Sequence, residues 1–88
     1  KICELANYYN INVTPHNFNS HLSTFISANL SACVPNLKIM EIDVDDVPWI
    51  DELFTETPYI NNGKMKLSDQ LGWGTSLNSK ALKKYEAR

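Results

Sequence analysis

Two polar side chains, His16 and Glu41, lie where a parallel α/β protein usually has its reactive groups. His16 follows a short run rich in β-branched residues, and Glu41 lies near the end of a largely apolar run, residues 37–42. A histidine can accept and return a proton near neutral pH. A carboxylate among apolar neighbours is costly to bury unless it is paired, protonated or bound to a ligand. From the residues alone, two alternatives to catalysis remain. His16 would be a hydrogen-bonded structural residue, and Glu41 would belong to a structural ion pair.

Three aspartates follow the second apolar run: Asp43, Asp45 and Asp46. Their spacing lacks the twelve-residue oxygen pattern and the glycine of an EF-hand loop. A solvated loop is therefore favoured over a metal site. We predict no metal ligand within this segment.

Apolar spacing predicts two helices before Glu41. Residues 2–9 form the last turns of a helix that stops at Asn10, because asparagine tolerates the left-handed conformation. Residues 20–33 form an amphipathic helix with its cap at Asn19 or Ser20. The predicted core face of this second helix consists of Leu22, Phe25, Ile26, Leu30 and Cys33.

Two short strands flank the second helix. Residues 11–14 are rich in β-branched residues, and residues 37–42 are mostly apolar. The helix between them is long enough for a parallel crossover, which indicates an α/β fold. Alternation along each strand places His16 and Glu41 on the same inward side. Since two strands make no stable sheet alone, we expect them to belong to a larger parallel sheet or barrel.

The second half of the chain has a different pattern. Residues 47–54 predict a short helix, and the Asn-Gly pair at residues 62–63 predicts the turn of a β-hairpin. Residues 78–86 predict a closing helix with Asn78 as its cap. Because its apolar side has little local surface to cover it, we expect residues 68–88 to pack mainly on material outside this chain. That side consists of Leu77, Ala81, Leu82 and Tyr85.

The composition excludes several classes of protein. An apolar fraction of 43% and a charged fraction of 20% are ordinary for a globular protein. A net charge of -2 and scattered cations lack the basic surface that nucleic acid or an anionic membrane requires. We expect Cys3 and Cys33 to be buried free thiols in a reducing compartment. The chain opens with Lys1 in the middle of a helical pattern, as expected of a sequence cut from a longer one.

Three segments follow one another along the chain: VTPHN at residues 13–17, ANLSACVPN at 28–36 and IME at 39–41. Together they resemble the seventh and eighth βα units of the enolase superfamily, in its mandelate racemase and muconate lactonizing enzyme type. Residues 62–74 are similar to the glycine-rich C-terminal segment of the same family. Gly63, Gly72 and Gly74 are retained there, whereas Leu71 and Trp73 stand where Pro and Leu are usual.

The resemblance implies a fold and two catalytic residues. Residues 1–54 would be the last two βα units of a TIM-type (β/α) barrel, and residues 55–88 a tail that returns to an α+β capping domain. His16 would be the general acid/base, paired with an aspartate outside this segment. Glu41, neutral and proton-donating, would hydrogen-bond the substrate carboxylate as it becomes an enediolate. Mg²⁺ would stabilise the charge through ligands that also lie outside this segment.

The leading functional expectation from this resemblance is a sugar-acid (aldonate or aldarate) dehydratase, a lyase that removes an α-proton and then expels the β-hydroxyl. A racemase or epimerase that uses the same enediolate is the alternative within the fold. A small α/β interaction domain without chemistry is the alternative from another class. We expect the intact enzyme to be a cytoplasmic homo-oligomer that binds a small carboxylate, and neither nucleic acid nor membrane, and we expect this segment alone to be inactive.

Overall fold

The computed structural model describes residues 1–45 and 47–87 as a mixed α/β arrangement. It contains three α-helices, one short 3-10 helix and one β-hairpin in the described ranges. The helices are α1, Ile2–Tyr8; α2, His21–Cys33; the 3-10 helix, Ile50–Leu53; and α3, Ser79–Tyr85. The hairpin strands are β1, Ile60–Asn61, and β2, Lys64–Met65.

Helix α1 ends where the sequence predicts. Asn10 has a φ of 56°, in the left-handed region. The N–H of Asn10 donates to the carbonyl of Asn7 at 3.0 Å, and the N–H of Ile11 donates to the carbonyl of Ala6 at 2.9 Å. These two bonds satisfy carbonyls at the end of the helix and turn the chain into the first extended segment.

Helix α2 connects two extended segments that pair in parallel, which confirms the predicted crossover. The N–H of Val13 donates to the carbonyl of Asn36 at 2.9 Å, and the N–H of Lys38 donates to the carbonyl of Val13 at 3.0 Å. The ladder is a single bridge, Val13–Leu37, where the sequence predicted longer strands. Pro15 has no N–H for the next ladder bond, so regular pairing stops there.

Helix α2 buries a different face from the predicted one. Its buried residues are Thr24, Phe25, Ala28 and Ser31. Of the predicted face only Phe25 is buried, whereas Ile26, Leu30 and Cys33 are exposed in this chain. Ala28 and Ser31 line an apolar cavity beside the second extended segment and the hairpin, a surrounding that hydrophobic spacing does not register. The predicted burial of the cysteines is also wrong, since Cys3 is half-buried and Cys33 is exposed; both are free thiols.

The hairpin turn has the backbone that its sequence predicts. Asn62 and Gly63 both have positive φ, at 49° and 70°. A type I′ turn requires positive φ at both of its central residues, and its backbone twist matches that of the paired strands. Each strand is only two residues long, and Ile60 pairs with Met65.

The tail packs on the chain itself, which corrects part of the prediction for residues 68–88. The N–H of Asn78 donates to the carbonyl of Leu53 at 2.8 Å. Ala81 is buried, and the ring of Tyr85 stacks on Trp49 with centroids 4.7 Å apart. Backbone pairing between the tail and the segment before the hairpin brings α3 onto this surface. Leu77 and Leu82 remain substantially exposed in this chain.

Gly74 lies where the chain folds back against Ser68 and leaves no room for a side chain. It is buried with a φ of 89°, and a Cβ built there would lie 2.5 Å from the Cβ of Ser68 and 3.6 Å from the ring of Phe25. A side chain larger than hydrogen would therefore be strained both in backbone and in contacts.

Replacing the cap residue Asn78 by alanine should destabilise α3. The Oδ1 of Asn78 accepts from the N–H groups of Lys80 at 3.2 Å and Ala81 at 3.4 Å. Loss of such a cap costs about 1 kcal/mol, so the urea midpoint of the full-length protein should fall. Asn78→Ser is the matched control, because serine caps helices comparably, and an equal loss in both variants would contradict a capping role.

Candidate acid–base site

The parallel pairing brings His16 and Glu41 into direct contact. The N–H of Glu41 donates to the carbonyl of Pro15 at 3.3 Å, which aligns the second extended segment beside the first. The Nδ1 of His16 then lies 2.5 Å from the Oε2 of Glu41. Both predicted site residues thus meet at the same end of adjacent parallel segments.

The surroundings of Glu41 favour its ionised form. The N–H of Asn17 donates to its Oε2 at 2.8 Å and is the main cause that holds the pKa of the Glu41 carboxyl below its usual value; His16 lowers that pKa further. A hydrogen bond to the anion stabilises the anion. The expected neutral, proton-donating Glu41 is therefore not the form that this arrangement favours.

An anionic Glu41 determines which nitrogen of His16 carries the proton. A carboxylate only accepts hydrogen bonds, so the Nδ1 of His16 must carry the hydrogen of the shared bond. In a neutral imidazole the Nε2 then keeps its lone pair and can accept a proton. In this chain Glu41 thus contacts the imidazole for which the resemblance implies an aspartate partner outside this segment.

The pair lies on an open surface of this chain. The His16 side chain is 79% exposed and that of Glu41 is 42% exposed. An apolar cavity of about 490 Å³ lies between α2, the second extended segment and the hairpin, and neither residue lines it.

Asn17 is a site residue whose role the sequence did not reveal. Its side chain is only 1% exposed, the most buried of the described polar residues. Its Nδ2 donates to the Oγ1 of Thr24 at 2.9 Å, and its Oδ1 accepts from the Oγ of Ser23 at 2.8 Å. The available signal was an asparagine shortly before a helix whose first turn carries two hydroxyl residues.

The described residues do not supply a magnesium site. No group of three His, Cys, Asp or Glu side chains within residues 1–45 and 47–87 could hold a metal ion. In the acidic run, Asp43 accepts the N–H of Asp45 at 2.9 Å, and Asp46 lies outside the described residues. The Nε2 of His21 is 2.6 Å from the Oδ1 of Asp51, which makes His21 a link between α2 and the 3-10 helix.

Residues 1–81 match the family described as enolase C-terminal domain-like. The chain belongs to the enolase superfamily. This places His16, Glu41 and the parallel pairing between their segments within a family of enzymes. No helix in the described ranges combines the length and apolar character needed to cross a membrane.

Similar proteins include enzymes of more than one activity. A D-xylonate dehydratase of Haloferax volcanii is 33% identical over 97% of this chain. The crystal structure of a candidate L-alanine-DL-glutamate epimerase of Burkholderia xenovorans, bound to magnesium and fumarate, is 48% identical over 94% of the chain, with a TM-score of 0.90. An enolase of the mandelate racemase subgroup from Agrobacterium tumefaciens is 26% identical over 94% of the chain, with a TM-score of 0.83. The chain spans 21–23% of the length of these proteins.

Proposed function

We propose that the protein carrying this chain removes the α-proton of a small carboxylate substrate, and that it is a sugar-acid dehydratase. The observation that carries the proposal is the contact between His16 and Glu41 at the ends of paired parallel segments. The 33% identity with a D-xylonate dehydratase supports the choice of reaction. We further propose that residues 1–54 are the last two βα units of a barrel, and that residues 55–88 join a capping domain.

His16 acts first as the base. Its Nε2 accepts the α-proton, and the C–H electron pair moves into the carboxylate to form an enediolate, while a carboxylate partner outside this segment stabilises the imidazolium. His16 then returns a proton to the β-hydroxyl, which leaves as water while a carbon–carbon double bond forms. The enol product tautomerises to a 2-keto acid.

Glu41 acts on the substrate carboxylate once an anionic substrate is bound. A substrate carboxylate beside Glu41 raises the pKa of the Glu41 carboxyl, because like charges oppose ionisation. This opposes the effect of the Asn17 N–H and favours a proton shared between Glu41 and the substrate oxygen. Such a hydrogen bond strengthens as charge grows on that oxygen in the transition state.

Magnesium, when bound, would supply further stabilisation of the enediolate charge. Its ligands would have to come from outside this chain, because the described residues provide no suitable cluster. The steps assigned to His16 and Glu41 do not pass through the metal.

An epimerase is the second candidate, favoured by the 48% identity with the candidate L-alanine-DL-glutamate epimerase. The same enediolate would form, and a proton would return to the opposite face. The decisive experiment incubates the full-length protein with Mg²⁺ in D₂O with sugar acids and, separately, dipeptides. A 2-keto-3-deoxy acid indicates dehydration, whereas an α-deuterated diastereomer indicates epimerisation. Absence of both products and of α-deuterium across both panels would contradict α-proton abstraction.

Replacing Glu41 by glutamine should lower kcat by about 10-fold. This loss is smaller than the loss of kcat expected when the base, His16, is replaced. Glutamine can still donate a hydrogen bond to the enediolate oxygen, but it cannot share a proton with that oxygen as a carboxylic acid does. Glu56→Gln, at an exposed carboxylate just before the hairpin, is the control. An unchanged kcat in Glu41→Gln would remove Glu41 from the mechanism.

A further inference from the structure

An exposed phenylalanine lies two residues after His16. The chain runs without a turn or bend from Thr14 to Phe18, so alternate side chains point to the same side. Burial follows this alternation: His16 is 79% exposed and Phe18 is 54% exposed, whereas Asn17 between them is 1% exposed. His16 and Phe18 therefore share one side of this segment, with their Cα atoms about 6.6 Å apart.

The side shared by His16 and Phe18 is the side on which the candidate site lies. The Asn17 side chain points the other way, since its Nδ2 donates to the Oγ1 of Thr24 in α2 at 2.9 Å. The Nδ1 of His16 contacts Glu41, and the N–H of Asn17 donates to the same carboxylate at 2.8 Å. The Phe18 side chain thus projects from the loop beside the reactive pair and away from α2.

The chemistry assigned to the pair leaves one part of the substrate for Phe18. In the proposed function, Glu41 holds the substrate carboxylate and the Nε2 of His16 accepts the proton of the α-carbon. Phe18 is the next exposed side chain on this side of the loop, within reach of the carbons beyond the β-carbon. Its ring has no hydrogen-bonding group, so a substrate hydroxyl placed against it would lose water without gaining a partner.

We propose that Phe18 determines specificity: its ring contacts the substrate chain beyond the β-carbon and selects substrates that carry C–H rather than O–H groups there. The placement of the substrate in this proposal rests on the proposed function. The substrate class narrows to small carboxylates with an apolar end, such as sugar acids that lack the terminal hydroxyl. Apolar side chains exposed singly are common on proteins, and the position beside His16 is what distinguishes Phe18.

The test measures binding of two carboxylates that differ by one hydroxyl, 2-hydroxybutyrate and 2,4-dihydroxybutyrate. Neither has a β-hydroxyl to lose, so calorimetric titration of the full-length protein with Mg²⁺ measures binding without dehydration. The parental protein should bind 2-hydroxybutyrate about 10-fold more tightly, the lower end of what an apolar pocket achieves for one group. Phe18→Ala should reduce the ratio of the two dissociation constants to about twofold or less, because the apolar contact is lost.

Further variants separate a contact with the ligand from an effect on stability. Phe18→Leu retains an apolar side chain and should keep most of the preference for 2-hydroxybutyrate. Phe18→Tyr adds a hydroxyl to the ring and should move the preference toward 2,4-dihydroxybutyrate, a change that loss of stability does not produce. Tyr59→Ala removes an aromatic side chain of similar exposure beside the hairpin, so it should leave the ratio of dissociation constants unchanged.

The outcomes separate this inference from the proposed function. A ratio of dissociation constants that is unchanged in both Phe18→Ala and Phe18→Tyr would overturn the role of Phe18, and so would a parental protein that binds neither carboxylate. A ratio that shifts as expected would support that role even if the parental protein neither dehydrates nor deuterates any substrate. That combination would overturn the proposed reaction and leave Phe18 as a contact of the bound carboxylate.

Discussion

Replacing His16 by asparagine is expected to lower kcat by at least about 10²-fold while folding and substrate binding are preserved. Asparagine can hydrogen-bond to Glu41 but cannot accept and return a proton, so the proposed enediolate-forming step would lose its base. The side chain is 79% exposed, and its loss leaves no cavity in this chain. Steady-state kinetics and α-proton exchange in D₂O, with the thermal midpoint as a folding check, measure the effect.

The other histidine of the chain is the control for this variant. His21 is paired with Asp51 at 2.6 Å and its ring contacts that of Phe54, which is a structural environment. We expect His21→Asn to lower the thermal midpoint and to leave kcat of the folded enzyme nearly unchanged. A His16→Asn enzyme that turned over at the parental rate would assign the acid/base role to another residue.

The largest loss of stability is expected from Phe25→Ala. The Phe25 side chain is 3% exposed and lies against Gly74, so it joins α2 to the tail. Truncation of a buried phenylalanine costs about 3–5 kcal/mol, because apolar contact is lost and a cavity remains. Urea denaturation of the full-length protein, followed by circular dichroism, should show the midpoint fall sharply or the folded state disappear.

Phe25→Leu separates volume from aromatic character at this position. It preserves most of the apolar volume, and such exchanges usually cost less than about 1.5 kcal/mol. If both variants lost the same small amount of stability, the contact between Phe25 and the tail would not hold the two parts together in the intact protein.

The features that sequence predicted correctly depend on local backbone chemistry. Asn10 ends α1 in the left-handed conformation, and Asn62 with Gly63 forms the hairpin turn. Asn78 caps α3 through its own side chain. Each of these signals acts within a few residues, so no knowledge of the tertiary structure is required to interpret it.

The features that sequence missed depend on distant parts of the chain. The buried face of α2 is decided by what approaches it, and Gly74 reaches Phe25 from the tail. The meeting of His16 and Glu41 follows from strand alternation and was predicted. The charge of Glu41 was not, because the N–H that stabilises the anion belongs to Asn17, which a turn in the chain places at that carboxylate.

The contact between Asn17 and Glu41 also constrains the order of folding. The two residues are 24 positions apart, and closing a flexible loop of that length costs about 3 kcal/mol in chain entropy, apart from a constant term. The 13 residues of α2 occupy most of the intervening chain and, once helical, span only about 20 Å. Formation of α2 therefore reduces the conformational search that brings the two extended segments together. We expect the parallel pairing to form fastest when the folding nucleus contains this helix.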